Sequence, residues 1–261
     1  GIGNGMPDES TVKIEIKSAD HIILHHGWTE MGQGVHTMAI QFLHQVTGIP
    51  TNIVEVRVET KAGAEAGMTT ASRATSLIGN AVIDAAEKLK NDLEKHALSE
   101  LVGKTYTGHW ICDWTTKPGA DVDEIITHYS YSYATQVVIL DDNGQIEKII
   151  AAHDAGKIIN PNLFEGQIQG AVHMGLGYAL TEDLEMENGV PKSTRLRKCG
   201  VLRAKETPEI EVIGVEVHDP HGPFGAKGVG EIGLVPTAAA AANAFYQFDG
   251  VRRTRLPLKR K

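Results

Sequence analysis

The sequence predicts an α+β protein with mixed sheets, in which two similar subdomains each run β-β-α-β-α. Three observations predict it. Short runs alternate apolar and polar residues, as half-buried strands do. Longer runs repeat apolar residues at helical spacing. The two kinds of run follow the same order in both halves of the chain, although no residue-level self-similarity accompanies it.

In the first half, Val12, Ile14 and Ile16 alternate with Lys13, Glu15 and Lys17, giving a strand. Ile22, Ile23 and Leu24 begin a second strand after a turn at Asp20. Val35, Ala39, Phe42, Leu43 and Val46 mark a helix that ends before Pro50. Val54, Val56 and Val58 give a third strand, and residues 61–72, small and polar, a loop. Val82, Ala85, Ala86, Leu89, Leu93, Ala97 and Leu101 mark a second helix. The division falls between a first half at 1–104 and a second at 105–261.

Residues 105–127 carry little pattern and read as an irregular connection. Two strands, at 131–140 and 146–151, flank Asp142, Asn143 and Gly144. Asn-Gly between apolar runs predicts a two-residue hairpin turn with positive φ at both positions. A helix is expected over 163–181 and a strand over 210–217. The alanine run 238–242 lies in a last helix, with Pro236 near its first turn.

Composition narrows the function classes. A chain of 261 residues is long enough for a substantial core. Its net charge of −8 gives no attraction to a phosphate backbone, and 5% aromatics leave few stacking platforms, so nucleic acid is not the expected partner. The basic tail at 252–261 reads as a solvated terminus or a subunit contact. The two cysteines, Cys112 and Cys199, form no CxxC pair; they suit packing in a reducing cytoplasm. No apolar run approaches the roughly 20 residues of a membrane span, and no signal peptide is evident. The opening Gly1-Ile2-Gly3-Asn4-Gly5, without Met, is what an excised or processed piece would show.

Four glycine-punctuated segments carry the candidate chemistry. The first, residues 27–34, joins a strand to a helix, where free N–H groups face anions; Gly32 and Gly34 let a ligand approach the backbone around Gln33. The second holds Thr69, Thr70, Ala71 and Ser72 ahead of a long helix, and suits either a phosphate cradle or simple N-capping. The third runs from Asn160 and Pro161 into Gly166, Gln167, Gln169 and Gly170. Gln167 and Gln169, two apart on a helix, face different ways, so only one can address a given ligand. Gly166 and Gly170 suit close packing. The fourth, residues 225–233, isolates Glu231 among small residues. There it is either a carboxylate favoured by a helix dipole or, if buried, a base of raised pKa, with Lys227 tuning it or merely exposed.

Taken together and in this order, the four segments resemble the molybdenum-binding region of the xanthine dehydrogenase and aldehyde oxidase family over nearly the whole chain. The residues that carry the resemblance are Thr29 to Gly34 with Val35 and His36, Thr69 to Ser72 with Gly79, Asn80, Ala81 and Val82, Asn160 to Gly170, and Gly230 with Glu231. Residues 225–237 and 248–255 look most similar to the selenium-dependent xanthine dehydrogenase branch.

The resemblance implies hydroxylation of a heteroaromatic carbon with oxygen from water, with Glu231 as the base. It implies a molybdenum–molybdopterin cofactor, in the cytosine dinucleotide form, with a sulfido or selenido ligand. The metal is then held through the pterin dithiolene and by no side chain. Accordingly His25, His26, His218 and His221 read as strand-end or turn residues. Gln33 and Gln167, with Gly32 and Gly34 beside them, would bond the pterin or molybdenum oxo groups. Thr69, Thr70, Ala71 and Ser72 would hold the pterin and its phosphate. [2Fe–2S] clusters and FAD would lie on other domains or subunits, the expected partners besides a small heteroaromatic substrate. The family's Gly-Gly-Gly-Phe-Gly-Gly segment is absent, so the chain resembles half of a cofactor cradle and is not expected to bind or turn over alone. Gly1 to Gly5 carries no aromatic to sandwich a purine, which leaves nicotinate, aldehydes and aromatic acyl-CoA as alternatives, beside a non-catalytic cofactor-binding module.

Overall fold

The computed structural model describes residues 8–59, 61–117 and 119–258. Gly1 to Gly5 and the final Lys259 to Lys261 lie outside these.

The expected α+β order is present. Strand β1 (Glu9–Ser18) and β2 (His21–His25) form a hairpin, and helix α1 (Val35–Thr47) leads to β3 (Val54–Arg57) and helix α2 (Ala74–Leu93). Strand β4 (Thr105–Ile111) follows. Then come hairpin β5 (Ala134–Leu140) and β6 (Ile146–Asp154), helix α3 (Pro161–Leu180), a small hairpin β7 (Met186–Glu187) and β8 (Val190–Pro191), strand β9 (Glu209–Val215) and helix α4 (Thr237–Asp249). The first sheet has the order β3-β2-β1-β4 and the second β5-β6-β9. In both, a hairpin is antiparallel and the strand after the crossover helix lies parallel to the hairpin's second strand: β3 beside β2, β9 beside β6. The repeat is therefore one of topology.

The chain divides into two compact units, though not at 104/105. The first comprises residues 1–131, 155–160 and 216–228, and the second 132–154, 161–215 and 229–261. The boundary differs because 105–127 is not all irregular: β4 pairs antiparallel with β1 from Glu9↔Ile111 to Glu15↔Thr105. Its inward positions are Tyr106, Gly108 and Trp110, so the central one carries no apolar side chain to signal a strand. Helix α2 crosses there so closely that a Cβ on Gly108 would lie 2.0 Å from the Ala81 carbonyl oxygen.

The first unit's core is the layer between this sheet and the two helices. Ser10, Val12, Ile14 and Ile16 point inward from β1. They meet Val35, Ala39, Phe42, Leu43 and Val46 of α1 and Leu77, Ile78, Ala81, Val82, Ala85 and Leu89 of α2. Each large aliphatic chain so buried contributes roughly 1.5–3 kcal/mol. Helix α2 ends at Leu93, earlier than the apolar spacing predicts; Leu101 reaches the core from a separate short 3-10 turn, Leu98–Leu101.

In the second unit, α3 and α4 pack at Gly175, where a Cβ would fall 2.6 Å from Thr237 Cβ. Ile149 and Ala151 of β6 are buried. The β5–β6 turn differs from the expected two-residue type. Only Gly144 takes a positive φ, 72°, while Asp141 pairs with Gln145 and accepts the Gly144 N–H. This is a three-residue loop ending in a bulge, which shifts the register beyond Ile139. The basic tail is partly folded back: Arg253 pairs with Asp249, and the Arg252 guanidinium lies 3.9 Å from the Tyr246 ring centroid.

Candidate functional site: a braced cofactor cradle

In the first unit the structure brings the first two glycine segments together. Between β2 and α1 the chain makes a loop around Gln33. The Gln33 side chain accepts the Met31 N–H at 2.6 Å and donates to the Thr29 carbonyl at 2.8 Å. Thr69 Oγ1, from the loop before α2, reaches the same Thr29 carbonyl at 3.5 Å. Gln33 keeps one N–H and one lone pair for a ligand.

The helix N-terminus there does not stand open to an outside anion, as the sequence suggested. Glu30 fills it. Its carboxylate accepts the N–H groups of Gly32 (2.7 Å), Gly34 (2.9 Å) and His36 (3.3 Å). Gly34 is the N-cap of α1, with φ 87°, and Gly32 has φ 107°. Partial burial opposes the Glu30 charge, but the three N–H donors outweigh it and hold the carboxyl below its ordinary 4.5. A depressed pKa stabilises the folded state above the unfolded value and loses that effect as pH falls through the folded value. The stability advantage of wild type over Glu30→Gln, roughly 0.5–2 kcal/mol as for other lost caps, is therefore expected in full above pH 4.5 and should fade below it. Urea unfolding across that range checks this; an advantage independent of pH would show that the charge is irrelevant.

Beneath the loop, Trp28 is fully buried and its indole N–H donates to Ser10 Oγ at 2.9 Å. The Trp28 backbone N–H donates to His26 Nδ1 at 3.1 Å. Burial, then the neighbouring His36, push the His26 pKa down to about 4, against the pull of Glu30. His26 is thus a neutral structural acceptor at neutral pH.

The loop containing Thr69, Thr70, Ala71 and Ser72 is not a set of helix caps. The N-cap of α2 is Arg73, and no side chain caps the helix. Ala71 and Ser72 both adopt left-handed backbone, φ 52° each. Such residues cost on the order of 1–3 kcal/mol apiece and persist where the surroundings over-determine them. The surroundings here are Arg73 and Asp8. The buried guanidinium donates to the Met68 carbonyl through Nε (3.0 Å) and Nη2 (2.8 Å), and through Nη1 to Asp8 Oδ1 (2.8 Å). On the other side, a Cβ on Gly228 would sit 1.5 Å from the Ser72 carbonyl oxygen, so the fourth glycine segment closes directly on this loop. Lys227, in that segment, is buried rather than surface, and its Nζ donates to the Tyr131 carbonyl at 2.7 Å.

In the second unit, Gln167 and Glu231 lie on neighbouring elements. Gln169 is tied to Glu165 at 3.0 Å, whereas the Gln167 side chain bonds nothing among the described residues. Gly166 and Gly170 beside it are exposed, and a Cβ added at either would meet nothing within 4 Å; they are open surface, not a packing face. Glu231 is exposed on the run of turns 230–236. Its turn is seated on α3: a Cβ on Gly233 would meet Ala171 Cβ at 2.7 Å. Ala171 is one helical turn beyond Gln167.

Among the described residues no group of three or more His, Cys, Asp or Glu could hold a metal ion, and no helix is long and apolar enough to cross a membrane. The residues present fit a ligand rich in hydrogen-bonding groups. In the first unit such a ligand would meet the left-handed Ala71–Ser72 backbone; in the second, separately, it would meet the open strip at Gly166 and Gly170 and the Gln167 amide. Glu30, Arg73 and Asp8 were not singled out from sequence. Arg73, a lone cation in a small polar loop, was the one legible signal.

A two-unit α+β chain with these loops is a cofactor-cradling domain. The family described as molybdopterin cofactor-binding domain matches residues 1–105 and 96–208. The chain belongs to this family, within the xanthine dehydrogenase and aldehyde oxidoreductase group of molybdenum hydroxylases. It is 29% identical to an aldehyde oxidoreductase of Megalodesulfovibrio gigas over 98% of this chain and 30% of that protein. To a putative xanthine dehydrogenase molybdenum-binding subunit of Escherichia coli it is 36% identical over 44% of this chain and 16% of the other. The solved aldehyde oxidoreductase of Desulfovibrio gigas superposes with a TM-score of 0.87 at 28% identity, covering 98% of this chain and 30% of that one. The chain thus spans about a third or less of these relatives.

Proposed function

We propose that this chain is the C-terminal molybdopterin-binding portion of a molybdenum hydroxylase that hydroxylates a purine or related N-heteroaromatic ring with oxygen from water. The observation that carries the reading is the meeting of Gln33 and Thr69 on the Thr29 carbonyl, beside the strained Ala71–Ser72 backbone. Gln33 and Gln167 donate amide hydrogens to the cofactor, with Gly32 and Gly34 leaving room for it. Thr69, Thr70, Ala71 and Ser72 hold the pterin and its phosphate in the cytosine dinucleotide form. When bound, the cofactor, with a sulfido or selenido ligand, supplies the two-electron redox centre. Glu231 accepts the proton from the attacking water-derived oxygen, which raises its nucleophilicity. Iron–sulfur clusters and a flavin on other domains or subunits carry the electrons away. The few, unpaired cysteines support a cytoplasmic location.

An aldehyde substrate is the second reading. It is favoured by the similarity to an aldehyde oxidoreductase over 98% of this chain.

The test uses the full-length parent protein. Molybdenum by elemental analysis and cytosine nucleotide released by acid are both expected near one per chain, and xanthine is expected to bleach the flavin and iron–sulfur absorbance faster than benzaldehyde. Gln167→Ala should lower molybdenum content about 10-fold, since loss of one outer partner of a metal typically costs 10–100-fold in affinity. A parent protein without molybdenum would overturn the proposal; faster bleaching by benzaldehyde would transfer it to the second reading.

A further inference from the structure

We propose that Gln136 is a positioning residue that fixes the turn carrying Glu231. This rests on the reading of Glu231 as the base. Gln136 lies on β5 opposite Ala151 of β6, and His153 is two residues further along β6 on the same face. That face is otherwise apolar: Ile149 and Ala151 are fully buried. Gln136 is 9% exposed and His153 0%, so a polar pair has been set into a hydrophobic layer.

Both hydrogens of the Gln136 amide are committed. One goes to the Gly233 carbonyl at 2.8 Å and the other to His153 Nε2 at 3.1 Å. His153 accepts there, so its own proton sits on Nδ1. The cost is visible. Gln136 Oε1 and His153 Nδ1 are both buried with no hydrogen-bond partner among the described residues. A methionine at 136 would remove the Oε1 orphan but leave His153 Nε2 without its donor. What the pair gains is the hold on Gly233, two residues beyond Glu231.

Two backbone hydrogen bonds, both above 3.1 Å, run within the turn: Thr237 N–H to the Leu234 carbonyl and Leu234 N–H to the Glu231 carbonyl. No regular ladder runs through 230–236. The turn's anchor is the Gly233 carbonyl, which also accepts Thr237 Oγ1 at 3.2 Å. Ala171 and Ile168 of α3 close the opposite side. With both lone pairs of one carbonyl engaged, and no Cβ to push it off α3, Gly233 is a fixed point from which Glu231 projects.

The experiment is Gln136→Met in the full-length parent enzyme, read by hydrogen exchange, thermal melting and turnover of xanthine and benzaldehyde. Exchange in a peptide covering 229–236 is expected to rise about 10-fold, while β5 and β6 peptides and the melting temperature stay unchanged. Turnover is expected to fall roughly 10- to 100-fold with KM little altered, as displacement of a catalytic group by about 1 Å does. Uniform loosening of the second unit with a lower melting temperature, or unchanged exchange at 229–236, would overturn the proposal. If Gln136→Met does not accumulate, Gln136→Leu removes the same donor to Gly233, and the same selective loosening is required. The exchange readout does not depend on the chemistry of Glu231. Should Glu231→Gln stay active, the base assignment fails, and the exchange result still decides whether Gln136 holds the turn.

Discussion

Replacing Glu231 by glutamine in the parent enzyme is expected to lower turnover by about 10²- to 10⁴-fold, the range general base catalysis supplies, while molybdenum content stays at the wild-type level. The substitution is nearly isosteric, so it tests charge and proton acceptance rather than shape. The side chain is exposed on its turn, and the backbone beneath it is anchored at Gly233 by Gln136 and Thr237. Glutamine should therefore leave the turn where it is. The residues assigned to hold the cofactor, Gln33, the loop before α2 and Gln167, lie on other elements, which is why cofactor retention is expected. Turnover within a few-fold of wild type, at full molybdenum occupancy, would remove Glu231 from the mechanism. Loss of molybdenum would instead give it a binding role.

The largest expected effect on stability is at Arg73. Both side chains of the Arg73–Asp8 pair are fully buried, with Nη1 and Oδ1 2.8 Å apart. Removing Arg73 leaves the buried Asp8 with only Lys117, 3.9 Å from its other oxygen, and breaking a buried pair in this way typically costs about 3–5 kcal/mol. Arg73→Met also removes both donors to the Met68 carbonyl, which hold the loop containing the two left-handed residues. Urea unfolding followed by Trp28 fluorescence should show a midpoint shift of that size. The double variant Asp8→Leu with Arg73→Met should recover much of the loss, because apolar pairs of similar volume often replace buried ion pairs at little cost. A loss below about 1 kcal/mol for Arg73→Met alone would show that the pair does not brace the cradle.

How much of this was legible in the sequence follows from what each feature depends on. The inward residues Val12, Ile14 and Ile16 of β1 and the buried face of α1 were read directly, because one buried face imposes a strict period on the side chains, whereas the start of β1 at Glu9 and its inward Ser10 were not. Strand β4 was not, because its inward position at Gly108 is dictated by the approach of α2, a tertiary demand that removes the apolar signal. The end of α2 was misplaced for a related reason: Leu101 is buried like a helical residue but arrives on a separate turn. The residues proposed for the site, Gln33, Thr69, Ala71, Ser72, Gln167 and Glu231 among them, were visible as motif members. Their supports were not. Asp8 lies 65 residues before Arg73, and Gln136 lies 97 before Gly233; a pair so separated leaves no local pattern.

By itself the sequence determined the α+β class, the repeated order of elements, the four glycine segments and their likeness to one family. These are fixed locally, by periodicity, turn chemistry and motif. The tertiary structure alone decided that Glu30 fills the α1 N-terminus, that Arg73 and Asp8 hold the strained loop, and that Gln136 pins the Glu231 turn. The Glu30 contacts depend on the fold of the loop that brings three N–H groups onto one carboxylate; the other two depend on which distant groups share a buried volume, where an unpaired charge or amide is costly and a partner becomes obligatory.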